Sequence, residues 1–374
     1  MEDVIVRKSE KVIYTILITV FTVIFASCLT DDPLKIPFQS FSPPNLADGW
    51  EIATPAEVSI DEEALNDVYR YVHSENNIWQ IRSLLVFKDN KLVAESYMKD
   101  SNDRTNLRPI WSCTKQVTGI LAGIAVDNGL ISLNDTIADH LPQVSKYPEK
   151  GLITIENLLM MKSGIDFSND GLSGQSSQLL QQKPSNSLDY ILGLGMHSSV
   201  GTQFRYKDGD PHIMSAIIQE KTGKTMRDWA WEVLFSKIGV NRLQWITYKD
   251  GITMGAFGIL TTPRELGKIG QLILNDGMWG TERIVSNTWI HEMTSSRVPA
   301  NETNIANITF GYMWWKDTVR DVIFTWGHGG QFVFINKDKN LIVVMTSEPR
   351  TNDRFEVHAH EGLLIYDRIN SITY

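Results

Sequence analysis

Apolar positions recur along this chain with two periods, and each predicts a different kind of element. Val117, Ile120, Leu121 and Ile124 fall at i, i+3, i+4 and i+7, and the run stops at Asp127-Asn128-Gly129, where the glycine caps. This spacing predicts a helix with Ser112 in its first turn. Ser59-Ile60-Asp61-Glu62 reads as a capping box ahead of the stripe Leu65, Val68, Tyr69 and Val72. Thr262-Pro263-Arg264-Glu265 supplies a cap, a proline at the first helical position and a capping glutamate before Leu266, Ile269, Gly270 and Ile273. Strand-like runs cover Ser83 to Phe87 and Leu92 to Tyr97, joined through Asp89-Asn90 as a hairpin. Four more follow late in the chain, at Gly311 to Trp315, Val322 to Trp326, Gln331 to Asn336 and Leu341 to Thr346, before a closing helix from about Asp353 to Ile369.

Between the two sets of strands, residues 130 to 253 are mostly helical or loop-like. The expected fold is therefore α+β, an α/β sandwich. One antiparallel sheet is built from N- and C-terminal segments and flanked by helices, with a mainly helical lobe inserted. The 374 residues are 42% hydrophobic and 10% aromatic, enough to fill such a core. The formal charge is −9 with no basic cluster, which disfavours phosphate-backbone binding, so nucleic acid is not an expected partner.

The first residues carry Arg7, Lys8 and Lys11, then an apolar run from Val12 to Ala26, then Ser27-Cys28 and polar residues. This is the layout of a secretory signal, and the run is short for a membrane span of about 20 residues. Phe25-Ala26-Ser27-Cys28 resembles the lipobox of bacterial lipoproteins. The resemblance implies cleavage after residue 27, lipid on Cys28, and a body held at a membrane outside the cytoplasm. An uncleaved N-terminal anchor is the other reading. Residues 28–49, rich in Pro, Ser and Asn, are expected to be a flexible tether, with one domain over 50–374.

Ser112 and Lys115 stand three residues apart on the predicted helix, so the amine can reach the hydroxyl and activate it as a nucleophile. The helix N-terminus favours negative charge developing there. Ser96 and Lys99 repeat the spacing, but on a strand they point to opposite faces. Cys113 is expected to point into the core. In Phe204-Arg205-Tyr206-Lys207-Asp208, Tyr206 is either a proton carrier near Lys115 or a tyrosine packed on a loop. Trp326-Gly327-His328-Gly329-Gly330-Gln331 precedes a strand; its amides either bind an acyl group and form an oxyanion hole with the Ser112 N–H, or its glycines mark a bulge. Trp314, Trp315 and Trp326 suit an acyl pocket or the core. His358, His360 and Glu361 lack a metal-binding spacing on a helix, so no metal and no cofactor is expected.

In this order, the three segments resemble the serine hydrolases of the β-lactamase and penicillin-binding superfamily, in particular the class C β-lactamase-like branch with its esterases, D-amino-acid peptidases and amide-oligomer hydrolases. The resemblance covers roughly residues 50 to 370, including Ile155 to Gly164 and Gly255-Ala256-Phe257-Gly258. It implies Ser112 as nucleophile, Lys115 as general base, Tyr206 as base or proton relay, and His328, Gly329, Gly330 and Gln331 at the substrate, with the Gln331 N–H as second oxyanion donor. Two positions depart from the family pattern. Asp208 stands where Asn or Ser is common, and as an acceptor it is expected to pair Lys115. His328 replaces the lysine that would hold a β-lactam carboxylate, since histidine is mostly neutral at pH 7. The expected substrate is a small-molecule or peptide ester or amide; a binding or sensory lipoprotein, or a true β-lactamase, is the alternative. A literal Lys221-Thr222-Gly223 is expected to close a helix.

Overall fold

The computed structural model describes residues 35–74, 80–169, 180, 185–303, 305–349 and 355–374. The signal segment and Cys28 lie outside the described residues. Strands β1 (Glu51–Ile52), β2 (Ile81–Lys88) and β3 (Lys91–Tyr97) come first; β4 (Arg108–Pro109), β5 (Leu243–Trp245), β6 (Ile259–Thr261) and the β7–β8 hairpin (Met278–Trp279, Glu282–Arg283) follow. The last are β9 (Val298–Pro299), β10 (Ile308–Phe310), β11 (Trp315–Asp317), β12 (Val322–Gly327), β13 (Gln331–Asn336) and β14 (Leu341–Ser347). The main sheet runs β1-β3-β2-β14-β13-β12-β11-β10-β9, antiparallel except for β1 beside β3. N- and C-terminal strands thus meet at β2–β14, as the sequence pattern implies.

Register shows why these strands are continuous apolar runs. Val333 and Ile342 crowd Gly270, and Phe87 crowds Gly267, all on the face under helix Pro263–Leu274. Their neighbours Phe332 and Met345 meet Gly362 of helix Phe355–Ser371 on the other face, beside helix Glu62–Ser74, whose Tyr69 hydroxyl donates to Leu84 O at 3.0 Å. A sheet covered on both faces needs apolar residues at odd and even positions alike. The β2–β3 turn places Asp89 and Asn90 at φ 52° and 63°, the left-handed pair of a tight hairpin.

Three expectations change. The strand expected over Gly311 to Trp315 is instead the turn between β10 and β11: Met313 takes φ 64° and Gly311 N donates to Trp314 O at 2.8 Å. Tyr312 N and Met313 N are drawn away from the sheet to Met293 O and Leu159 O. The lobe expected to be mainly helical or loop-like to residue 253 also contains β5, which with β6 and β4 forms a second, three-stranded sheet. And residues 35–49 are packed on the body rather than free. Ile36 N donates to Met98 O at 2.6 Å, Phe41 is buried, and Arg264 binds Pro44 O and Asp48.

The helix predicted after Ser112 runs Cys113–Asp127 and is buried from Cys113 to Ala125 on every side, not on one stripe. It lies between β12, helix Gly209–Thr222 of the lobe and helix Asn287–Thr294. A helix in that position has no solvent face to carry polar residues. Its polar side chains must therefore find partners inside, and Lys115 is the one with a charge.

Candidate active site

The second small sheet sets the start of this helix. Ile110 N donates to Ile259 O at 3.0 Å and Ile259 N to Thr114 Oγ1 at 3.3 Å, so the chain enters Ser112 already tied to the segment after Gly258. Trp111 sits at φ 49°, a left-handed conformation a bulky residue seldom adopts, and turns the chain so that Ser112 opens the helix half-exposed. From there Lys115, one turn on, donates to Ser112 Oγ at 2.8 Å. The same ammonium donates to Ala256 O at 3.1 Å and lies 2.5 Å from Asp208 Oδ1. It is fully buried, and Asp208 nearly so.

Tyr206 and Asp208 come from the loop that leads into helix Gly209–Thr222. The Lys115 Nζ stands 4.9 Å from the centre of the Tyr206 ring, and Lys115 and Ser112 both favour ionisation of its phenol. Burial works against the Lys115 charge, but Asp208 and Tyr206 together outweigh it and hold the ammonium above the ordinary lysine range. Burial, assisted by Asp208, likewise pushes the Tyr206 phenol up against the pull of Lys115. The resting site is thus a neutral tyrosine, an ammonium and a carboxylate around one serine hydroxyl. Their protons move as a coupled set.

The Trp326–Gln331 segment closes the other side. A side chain at Gly327 would come within 2.3 Å of Ile110 O, so glycine lets β12 approach the chain just ahead of Ser112. Gly329 and Gly330 take φ 76° and 94°, and Gly329 packs on Pro349. Cys113 Sγ donates to Gln331 O at 3.3 Å and Thr325 Oγ1 at 3.2 Å. That contact holds the start of β13 against the first turn of the Ser112 helix. His328 is exposed, its ring edge-on to Trp111 at 5.5 Å.

Every sequence-predicted site residue within the described chain, namely Ser112, Lys115, Tyr206, Asp208, His328, Gly329, Gly330 and Gln331, falls in this one region. Other candidates fall elsewhere. The Cys113 thiol is buried and pushed up to about 12, which leaves no thiolate for chemistry at neutral pH. Ser96, on β3, bonds His73 of helix Glu62–Ser74. Gly223 caps its helix at φ 67°. Trp314, Trp315 and Trp326 are core residues, though Trp315 backs the Tyr206 ring at 5.2 Å. Ser187 bridges His212 and Asp250, at 2.7 and 2.6 Å; with the serine in the middle, the order is wrong for a catalytic triad. Three participants carried no side-chain signal: the Ala256 carbonyl, Asn169, whose Oδ1 accepts from Asp208 N at 3.0 Å, and Glu302, which accepts from Tyr206 N at 2.9 Å.

The sheet and the inserted lobe are those of a β-lactamase fold, and its relatives make the chain a hydrolase of that fold. The chain belongs to the Beta-lactamase family, whose model matches residues 82–366. A 6-aminohexanoate-dimer hydrolase of Paenarthrobacter ureafaciens is 21% identical over 334 residues, 84% of each chain. Among solved structures, EstCE1, a hydrolase with promiscuous acyltransferase activity, superposes with a TM-score of 0.67 at 14% identity, covering 82% of this chain and 97% of its own. A family VIII carboxylesterase does so at 0.65 and 16%, covering 83% and 97%. These structures share the fold.

Two outcomes follow from the geometry. Gly327→Ala forces its methyl against Ile110 O; we expect about 1–3 kcal/mol lower stability in thermal denaturation and loss of Ser112 labelling by a fluorophosphonate probe. An unchanged labelling rate would show that this approach does not set the serine. Asp208→Asn removes the charge that raises Lys115, so the pKa falls and the amine is free at lower pH. The alkaline limb of the labelling-rate profile then moves to lower pH, and a limb that stays in place would refute the pairing as its cause.

Proposed function

We propose that the protein is a serine hydrolase that cleaves an ester or amide through an acyl-enzyme on Ser112. The observation that carries the reading is that Lys115 Nζ donates to the Ser112 hydroxyl while the same ammonium pairs Asp208 and lies over the Tyr206 ring. The Ser112 oxygen attacks the carbonyl carbon while its proton passes to the Lys115–Tyr206 pair, which has lost one proton on the alkaline side. The oxyanion is held by the Ser112 and Gln331 amides. The pair then returns the proton to the leaving oxygen or nitrogen, and the bond to it breaks. Water repeats the sequence in reverse roles and releases the acid. Asp208 fixes the lysine as the positive member of the pair, so Tyr206 carries much of the proton traffic.

Substrates are of ester, amide or D-peptide type. At the third segment the exposed His328 takes the place of a fixed cation, which disfavours acids that need a permanent carboxylate anchor. The relatives point the same way: one is named for an amide-dimer substrate and another is a carboxylesterase. Turnover of a panel of neutral esters, D-peptide amides and aminohexanoate amides tests this. We expect activity on at least one class, lost in Ser112→Ala by roughly three orders of magnitude or more; retained turnover would refute the mechanism, and efficient penicillin hydrolysis would refute the reading of His328.

We also propose export and anchoring through lipid on Cys28, supported by the charged start, the short apolar run and the Ala26-Ser27-Cys28 sequence. Among the described residues, no helix is long and apolar enough to cross a membrane. Labelled fatty acid should enter the protein in cells and fail to enter Cys28→Ala. Equal labelling of both would refute lipidation at this position.

A further inference from the structure

The loop that supplies Tyr206 and Asp208, with the first turn of helix Gly209–Thr222 that follows it, also carries a second buried pair of charges. Lys207, between the two, is 1% exposed, and Asp210 is fully buried. Lys207 Nζ lies 3.6 Å from Asp210 Oδ2 and donates to Ser163 Oγ at 3.2 Å. Ser163 in turn donates its hydroxyl to Asp210 Oδ1 at 2.6 Å and its N–H to Oδ2 at 3.4 Å. The backbone is held at the same place: Arg205 N donates to Met161 O at 3.1 Å and Lys207 N to Met161 Sδ at 3.4 Å. Ser163 and Met161 belong to the segment after helix Ile155–Leu159, a part of the lobe that does not touch Ser112 through any hydrogen bond described above.

The arrangement is two buried ion pairs in alternation. Lys115 pairs Asp208 on the site side, and Lys207 pairs Asp210 on the lobe side. The N-cap and first turn of helix Gly209–Thr222 offer two carboxylates two residues apart, and a buried ammonium needs one of them. With Asp210 held by Lys207 and Ser163, Asp208 is the carboxylate left to face Lys115, and Tyr206 is placed by the same register. Burial pushes the Asp210 carboxyl up while Lys207 and Ser163 pull it down, so its charge depends on that cluster.

We propose that Lys207, Asp210 and Ser163 form a register lock, and that Lys207 is a positioning residue for the Tyr206–Lys115–Asp208 proton relay although it touches no reacting atom. This rests on the serine-hydrolase reading above. Without the lock, the fold of the lobe remains, but Tyr206 and Asp208 lose their fixed distance to Lys115. Two consequences follow together: the serine is activated less well, and Lys115, less tightly paired, loses the support that raises it. The charged and titratable groups facing Lys115 are Asp208 and Tyr206 from the loop and Cys113 from its own helix.

The test is the second-order rate of fluorophosphonate labelling at Ser112, read by intact mass and peptide mapping of the full chain as a function of pH. The variants are Lys207→Met/Asp210→Asn, which removes both charges together, Asp210→Asn alone, which keeps a partner for Ser163, and Lys207→Arg, which keeps the cation. We expect the double variant to unfold cooperatively near the wild-type temperature, to label about tenfold more slowly or worse, and to show its alkaline limb at lower pH. Lys207→Arg should recover most of the rate and restore the limb. If the double variant does not fold, Asp210→Asn decides by the same rate and limb. A labelling rate and pH limb equal to wild type in the deciding variant would overturn the lock and leave the cluster as packing. A wild-type chain that does not label at Ser112 would overturn the serine-hydrolase reading, and this inference with it.

Discussion

The structure depends on one buried ammonium. Lys115 sits in the first turn of a helix buried on every side, and a charge taken out of water is costly unless its partners replace the lost hydration. Its partners come from three separate parts of the chain: Ser112 on its own helix, Ala256 O from the loop before β6, and Asp208 from the loop ahead of Gly209. To satisfy that one group, the sheet, the lobe and the small β4–β6–β5 sheet must all arrive at the same point. The glycines follow from this. Gly255 lies against Pro211 O and Gly327 against Ile110 O, at 2.1 and 2.3 Å from where a Cβ would stand, so the backbone closes around the lysine only where side chains are absent.

An ion pair in such a place does little for net stability, because desolvation offsets much of the attraction. What it does is specify an arrangement. Asp208 turns a lysine that burial alone would push toward neutrality into an ammonium, and so moves the proton-accepting capacity of the site toward the alkaline side and toward Tyr206. An asparagine at the same position would hold the geometry and leave the lysine free to act as a base. One atom's difference at residue 208 therefore changes which group is charged at rest without changing the fold.

The chemistry of the site was more legible in the sequence than its architecture. Ser112 and Lys115 follow from helical spacing, and the pairing of Asp208 with Lys115 follows from acceptor chemistry once the two are assumed to be close. The main strands are legible because a sheet covered on both faces leaves long apolar runs. The three-stranded sheet was not: Arg108–Pro109, Leu243–Trp245 and Ile259–Thr261 are two or three residues each, too short for a period to register. Nor was the turn at Gly311 to Trp314, since the run is apolar throughout and what interrupts it is the pull of Met293 O and Leu159 O, partners remote in sequence. Residues 35–49 read as a tether because they have no period. They pack through isolated anchors, Ile36 on Met98 and Phe41 against β3, that leave no pattern.

This difference has a physical origin. Catalytic side chains are chosen for what they are, so their identities show in the chain. The approach that makes them act together is carried by backbone atoms such as Ile110 O, Ala256 O and Gln331 O, which every residue possesses. Only the glycines opposite them mark the sequence, and a glycine does not say what it is making room for. The strained Trp111 shows the same limit from the other side: tryptophan is a poor choice for φ 49°, so nothing local predicts that conformation. It exists because Ile110 is held by Ile259 before it and the buried helix is held after it, and the single residue between them takes up the mismatch. The exposed edge of the site, where Ser112 and His328 meet solvent, is thus shaped by constraints imposed from the core outward.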